Sequence, residues 1–427
     1  MSQAENQTSP EHIVDHFFRH ESGRVISLLV KYFGTAHLEK VEDAVQDAMI
    51  KAMSVWAYKE VPENPSAWIF RVAKNSLLDQ MRRSHNFHEK EASIIAEIET
   101  VSTPQEPQLN DQLNDGLLKM LFACCHASIP VESQIILSLK VLCGFSNKEI
   151  AKALLKNEAA IAKSYTRARA KLQDNVKELE VPSGGDALHN SLQTVLKTIY
   201  LLYNEGYNAA HGELLIKKEV CAEAMRLALL LLENPNLSKT DVHALMALMC
   251  FQASRFDARV SIEGEMINLK SQDRTLWDKE LIETGRYHLE VASDLKNFSE
   301  YMIQASIAAC HCYAPSFDET NWERILMLYD ALIAINPSKI IRLNRIVALA
   351  KAKNAKLALD EIDKLEEEAS LFNYYLLHAI KAQLLLELDQ EDRALKHYQN
   401  ALRLTQNQPE QQYLKRQIAE LKHQNSV

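Results

Sequence analysis

At 427 residues and a net charge of −9, the chain has length for two to four domains but is too acidic to hold nucleic acid indiscriminately. Only 10 Gly and 11 Pro interrupt a composition that is 47% hydrophobic, which excludes a disordered chain and points to an all-α fold. No apolar run reaches the roughly 20 residues of a membrane helix, and the polar start MSQAENQTSP has no signal-peptide pattern, so a cytoplasmic protein without membrane contact is expected.

The spacing of Ile13, Phe17, Ile26, Leu29, Val30 and Phe33 predicts helix over 12–33. VEDAVQDAMIKAMSVW (41–56) follows, with Val41, Ala44, Val45, Ala48, Met49, Ala52, Met53 and Trp56 on an apolar stripe and Glu42, Asp43, Gln46, Asp47 and Lys51 outward. The proline-punctuated VPENPSAW leads, with Ser66 as candidate cap, to WIFRVAKNSLLDQMRR (68–83). That helix buries Ile69, Val72, Ala73 and Leu77 and turns out Arg71, Lys74, Asn75, Arg82 and Arg83 beside Trp68 and Phe70. Cations next to aromatic rings suit single-stranded DNA, whose bases stack while its backbone meets charge. Residues 85–112 are polar and acidic and read as a linker with a short helical piece at most.

Helical periodicity resumes over 113–142 and runs into GFSNKEIAKALLKNEAAIAKSYTRARAKL (144–172). Ile150, Ala151 and Leu154 mark one short helix, Lys156-Asn157 a turn, and Ala160, Ile161, Tyr165, Ala168 and Leu172 the apolar stripe of a second. This is a helix-turn-helix pattern, with Lys163, Ser164, Arg167, Arg169 and Lys171 placed for phosphates and base edges. From Lys140 to Lys171 eight Lys/Arg face only Glu149 and Glu158, a local net of +6 in an acidic chain. Taken singly, each of these segments reads equally as an ordinary amphipathic helix or solvated face.

In order and spacing the three segments resemble the extracytoplasmic-function (ECF) class of bacterial sigma factors, the promoter-specificity subunits of RNA polymerase. VEDAVQDAMIKAMSVW is similar to their polymerase-clamp helix, NPSAWIFRVAKNSLLDQMRR to their minus-ten helix, and the 144–172 segment to their minus-thirty-five helix-turn-helix. The resemblance implies that Asp43, Gln46, Asp47 and Lys51 bind core RNA polymerase. It implies that Trp68, Arg71, Lys74, Asn75, Arg82 and Arg83 hold the melted minus-ten strand, and that Lys163, Ser164, Arg167, Arg169 and Lys171 read the minus-thirty-five duplex. The implied domains are 1–84 and 113–180, joined by the 85–112 linker. Leu155-Lys156-Asn157 departs from the glycine common in the family's turn, with Asn157 able to take a left-handed backbone.

A typical member of that class would stop near Leu179, with a boundary here at Val181-Pro182-Ser183-Gly184-Gly185. Residues 186–427 are again helical, and NEGY (204–207) resembles an extension with tetratricopeptide-like repeats found in one sigma subgroup. From Trp322 onward, Ile325/Tyr329/Leu332, Ala358/Ile362/Leu365 and Ala394/Tyr398/Ala401 recur in comparable register, as in a helical-repeat solenoid. Such an extension would regulate the factor or receive a regulatory protein. Asn204, Glu205, Tyr207 and His211 read either as a small-ligand pocket or as a satisfied turn.

The seven cysteines sit mostly in apolar helical stretches, as buried thiols do. Cys124-Cys125-His126 and Cys310-His311-Cys312 lack C-x-x-C spacing, and no metal or cofactor is expected. There is no phosphate-cradling glycine loop, nucleophile elbow or HExxH, so no enzyme is expected. The alternative is an operator-binding helix-turn-helix regulator that never enters the polymerase.

Overall fold

The computed structural model describes residues 10–58, 61–83, 106–154, 156–207, 214–259, 267–294, 298–366, 374–405 and 408–424, and every regular element among them is helical. The chain forms two compact units. One comprises 1–206 with 219–237, the other 207–218 with 238–427.

In the first unit, α1 (Pro10–Phe33) buries Val25, Leu28, Leu29, Val30 and Phe33 and packs against α2 (Leu38–Trp56) and α3 (Pro65–Arg83). It also packs against α4 (Glu106–Cys124). Residues 106–112 of the expected linker are therefore helical, while 84–105 lie outside the described residues. Two glycines let α1 approach so closely: a Cβ on Gly23 would stand 2.2 Å from the Leu142 carbonyl oxygen, and one on Gly116 would stand 3.2 Å from the Leu28 backbone. Polar ties reinforce that contact, with Lys31 Nζ on Asp115 at 2.7 Å and Tyr32 Oη on Gln112 at 3.1 Å. Burial raises the Asp115 carboxyl, but the Lys31 and Lys119 ammoniums outweigh it and hold the group below its ordinary value.

Helix α5 (Val131–Leu137) runs into a single π turn (Ser138–Leu142), in which Cys143 N–H donates to Ser138 O at 3.1 Å. Gly144, at φ 69°, ends it. Then come α6 (Asn147–Ala153) and α7 (Glu158–Asn175), the two helices of the helix-turn-helix. Ser146 and Glu149 close a reciprocal capping box on α6, at 3.2 and 2.7 Å, which fixes where that short helix begins. Asn157 is not left-handed, as its sequence context allowed; at φ −82° it is extended and its side chain caps α7 by accepting from Ala160 N–H at 2.7 Å. Likewise Asn64, rather than Ser66, accepts from the first turn of α3, at Ala67 N–H.

Residues 181–183 are irregular, where a boundary was expected, yet the compact division falls later. The reason lies in α8 (Gly185–Tyr207) and α9 (Leu214–Glu233). Thr198 Oγ1 donates 2.7 Å to the buried Gln134 side chain, and Arg226 donates 3.2 Å to Leu142 O. These bonds satisfy a buried amide and a buried backbone carbonyl, and so tie residues 198 and 226 to the first unit.

The second unit begins around α10 (Thr240–Ala253), apolar almost all round and covered by α11 (Lys279–Asp294) and α12 (Glu300–Tyr313). Then α13 (Trp322–Ile335), α14 (Lys339–Ala352), α15 (Ala355–Glu366), α16 (Tyr375–Leu386), α17 (Glu391–Leu404) and α18 (Gln408–Gln424) follow, each packed on the next. The three recurring triplets lie in α13, α15 and α17, and all nine residues are buried except half-buried Tyr329. Among the described residues no helix is long and apolar enough to cross a membrane.

Candidate nucleic-acid interface

On α2 the residues Leu38, Val41, Ala44, Val45, Ala48 and Ala52 are buried, which turns Asp43, Gln46, Asp47 and Lys51 out together. Met53 does not join the buried stripe as its spacing suggested. It is 60% exposed, beside Ile50 at 58%, so the outer face mixes carboxylates with bare apolar side chains. Such a mixture suits a protein partner better than DNA. Ile50 escaped the sequence reading because an apolar residue beside a helical stripe carries no mark of exposure.

On α3 a single face carries Trp68, Arg71, Lys74, Asn75 and Arg82. Trp68 is half-buried with its ring 5.4 Å from that of Trp56, whereas Phe70 is core, 3% exposed, and takes no part in the face. Arg71 and Asn75 are exposed, and Arg82 sits 3.5 Å from Asp79. Val61, in the connection before α3, is exposed as well. The Arg83 side chain lies outside the described residues.

On α7, Ile161, Tyr165, Ala168 and Leu172 are buried, and Lys163, Arg167 and Lys171 are exposed along the opposite side with half-buried Ser164 between them. Arg169 faces elsewhere: its guanidinium lies 2.9 Å from Glu39 on α2. One turn earlier, Tyr165 Oη donates 2.7 Å to Glu42 Oε1, again on α2. Burial pushes the Glu42 carboxyl up, against the lowering effect of Tyr165, Lys140 and Arg169. The Tyr165 phenol is in turn pushed well up by burial and by Glu42. Thr35 Oγ1 on Val176 O at 2.5 Å extends the contact. The basic segment is thus partly neutralised in place, since Lys156 also pairs with Glu132. A long-range pairing of this kind leaves no spacing signal in the chain.

In the second unit Tyr207 lines a cavity of about 350 Å³ with Arg255, Arg259 and Tyr413, and Arg259 lies over its ring at 3.7 Å. Asn204 and Glu205 belong to the first unit, and His211 lies outside the described residues.

Comparison with known proteins agrees with this arrangement. Residues 17–86 match the family model "Sigma-70 region 2" and 119–172 match "Sigma-70, region 4". A protein called ECF RNA polymerase sigma factor SigL, from Mycobacterium tuberculosis, is 26% identical over 151 residues, covering 34% of this chain and 80% of that one. An uncharacterized protein of Rhizobium meliloti (strain 1021) is 33% identical over 403 residues, 93% of each chain. The chain belongs to the ECF sigma factors. This sigma factor acts in transcription initiation, binding core RNA polymerase and promoter DNA, in a family of DNA-binding regulators that are not enzymes. Beyond its two sigma regions it carries a helical extension, of which 191–293 match a family of unknown function. No solved structure matches the chain.

Proposed function

We propose that this sigma factor docks on core RNA polymerase through α2, with Asp43, Gln46, Asp47 and Lys51 meeting charge and Ile50 and Met53 supplying apolar contact. Trp68, Arg71, Lys74, Asn75, Arg82 and Arg83 hold the melted minus-ten strand, bases on the ring and backbone on the cations. Lys163, Ser164, Arg167 and Lys171 grip the minus-thirty-five duplex, and Arg169 joins them once Glu39 releases it. The described arrangement is then a closed form. Glu39 already neutralises the Arg169 guanidinium, and its carboxylate would repel a phosphate brought to the same place. The observation that carries this reading is the double tie of α7 to α2 through Arg169–Glu39 and Tyr165–Glu42.

The extension acts in the cytoplasm as a tetratricopeptide-like array that receives a regulatory protein. Support comes from the buried repeat triplets and from exposed Met327, Ile340 and Leu357 on the successive helices α13, α14 and α15.

Promoter binding by holoenzyme assembled with Arg167→Ala, measured across a salt series, tests the interface. Losing one phosphate contact reduces the slope of log K against log salt by about 0.9. An unchanged slope removes Arg167 from the interface, and equally tight duplex binding without core polymerase would favour an operator-binding regulator.

A further inference from the structure

We propose that Glu366, His378 and His397 form a binding site for one divalent cation of the zinc class within the second unit. The three residues come from three consecutive helices: Glu366 ends α15, His378 lies on α16 and His397 on α17. His378 Nδ1 stands 3.2 Å from His397 Nδ1 and 3.9 Å from Glu366 Oε1, and all three ligand atoms lie within 4.8 Å of one another. Zinc bonds of about 2.0–2.1 Å in a tetrahedron set ligand atoms about 3.3–3.4 Å apart, so small rotamer adjustments bring the set onto a metal. Two imidazoles and one carboxylate with a fourth position left for water is a donor set that zinc accepts.

The surroundings favour this over a plain histidine pair. His378 is buried and His397 half-buried, so both ring nitrogens face each other largely away from solvent. In the metal-free state one of the facing Nδ1 atoms must carry a proton. Moving that proton to Nε2 presents both lone pairs without loss of a proton from the ring. Lys381, 2.7 Å from Asp363, also contacts Glu366 Oε2 and so positions the carboxylate with Oε1 toward His378. Asp363, Glu366 and Lys381 together carry one net negative charge, which a cation offsets.

The alternative thiol sets are poorer hosts. Cys125 is buried with its thiol pushed up to about 12, and burial raises Cys310 and Cys312 too. The expectation of no metal rests on the spacing of Cys124-Cys125-His126 and Cys310-His311-Cys312; Glu366, His378 and His397, separated by 12 and 19 residues, carry no metal-binding spacing in the chain. Bound metal would tie α15, α16 and α17 together and make the rigidity of this part of the array depend on metal supply. That consequence is independent of how the sigma regions meet DNA.

The test is equilibrium dialysis of the chelator-stripped full-length chain against zinc, with His397→Gln and Glu366→Gln as variants whose folding is checked by circular dichroism. The wild type is expected to retain one equivalent, and each variant to weaken that site by about 100-fold or more, since even outer-shell changes cost 10–100-fold. X-ray absorption of the zinc-loaded wild type needs no variant; it is expected to show two imidazoles among nitrogen and oxygen neighbours. No retained equivalent, retention undiminished in both variants, or sulfur in the coordination shell would overturn the proposal.

Discussion

Tyr165→Phe isolates the tie between α7 and α2. The ring is 7% exposed, and phenylalanine keeps its volume, so the change deletes only the hydroxyl that donates 2.7 Å to Glu42. Removing one partner of a buried hydrogen bond costs about 1–3 kcal/mol, because the other partner, here a largely buried carboxyl, is left short of a donor. The neighbouring Arg169–Glu39 pair contributes less, about 0–1 kcal/mol, because the Glu39 side chain is 64% exposed. The hydroxyl therefore dominates, and removing it shifts the closed-to-open equilibrium toward open by roughly 5- to 150-fold. If core polymerase binds only the open form, its apparent affinity rises by up to that factor, ceasing to rise once open molecules are the majority. Fluorescence anisotropy with labelled full-length chain and core polymerase measures the affinity, and urea unfolding measures the stability lost. A lower urea midpoint with unchanged or weaker polymerase affinity would refute the idea that this contact closes the factor.

The remaining predictions concern the same interface. Glu42 has a carboxyl raised by burial, so its contribution to the closed form is fully present below the ordinary glutamate range and is lost as pH rises through its raised value. Closing should therefore strengthen as pH falls toward that range, and Glu42→Gln should flatten the trend when domain separation is followed by fluorescence energy transfer. Closing that instead weakens as pH falls would refute this assignment to Glu42. Gly23→Ala places a methyl 2.2 Å from the Leu142 carbonyl, so α1 has to withdraw from the π turn, at a cost of about 1–3 kcal/mol. The expected result is a lower urea midpoint, and an unchanged midpoint would mean the contact yields freely.

The sequence by itself determined the helical class, the positions of α1, α2, α3, α6 and α7, and the polar faces that α2, α3 and α7 turn outward. These follow from 3.6-residue periodicity, which a chain displays without reference to distant residues. It also placed the repeat triplets on α13, α15 and α17, and their burial follows from the same periodicity. What periodicity leaves open is which neighbour covers a face. Met53 was assigned to the core and Arg169 to the DNA side, yet Met53 is exposed and Arg169 turns to Glu39, some 130 residues away in the chain. Gln134 and Thr198 meet, as do His378 and His397, only because separate helices are brought side by side. Hydrogen bonds and metal geometry act over about 3 Å, and the chain's order carries no record of such distances. The tertiary structure alone decided that α7 is held by α2 and that the ligand atoms of Glu366, His378 and His397 lie within 4.8 Å of one another.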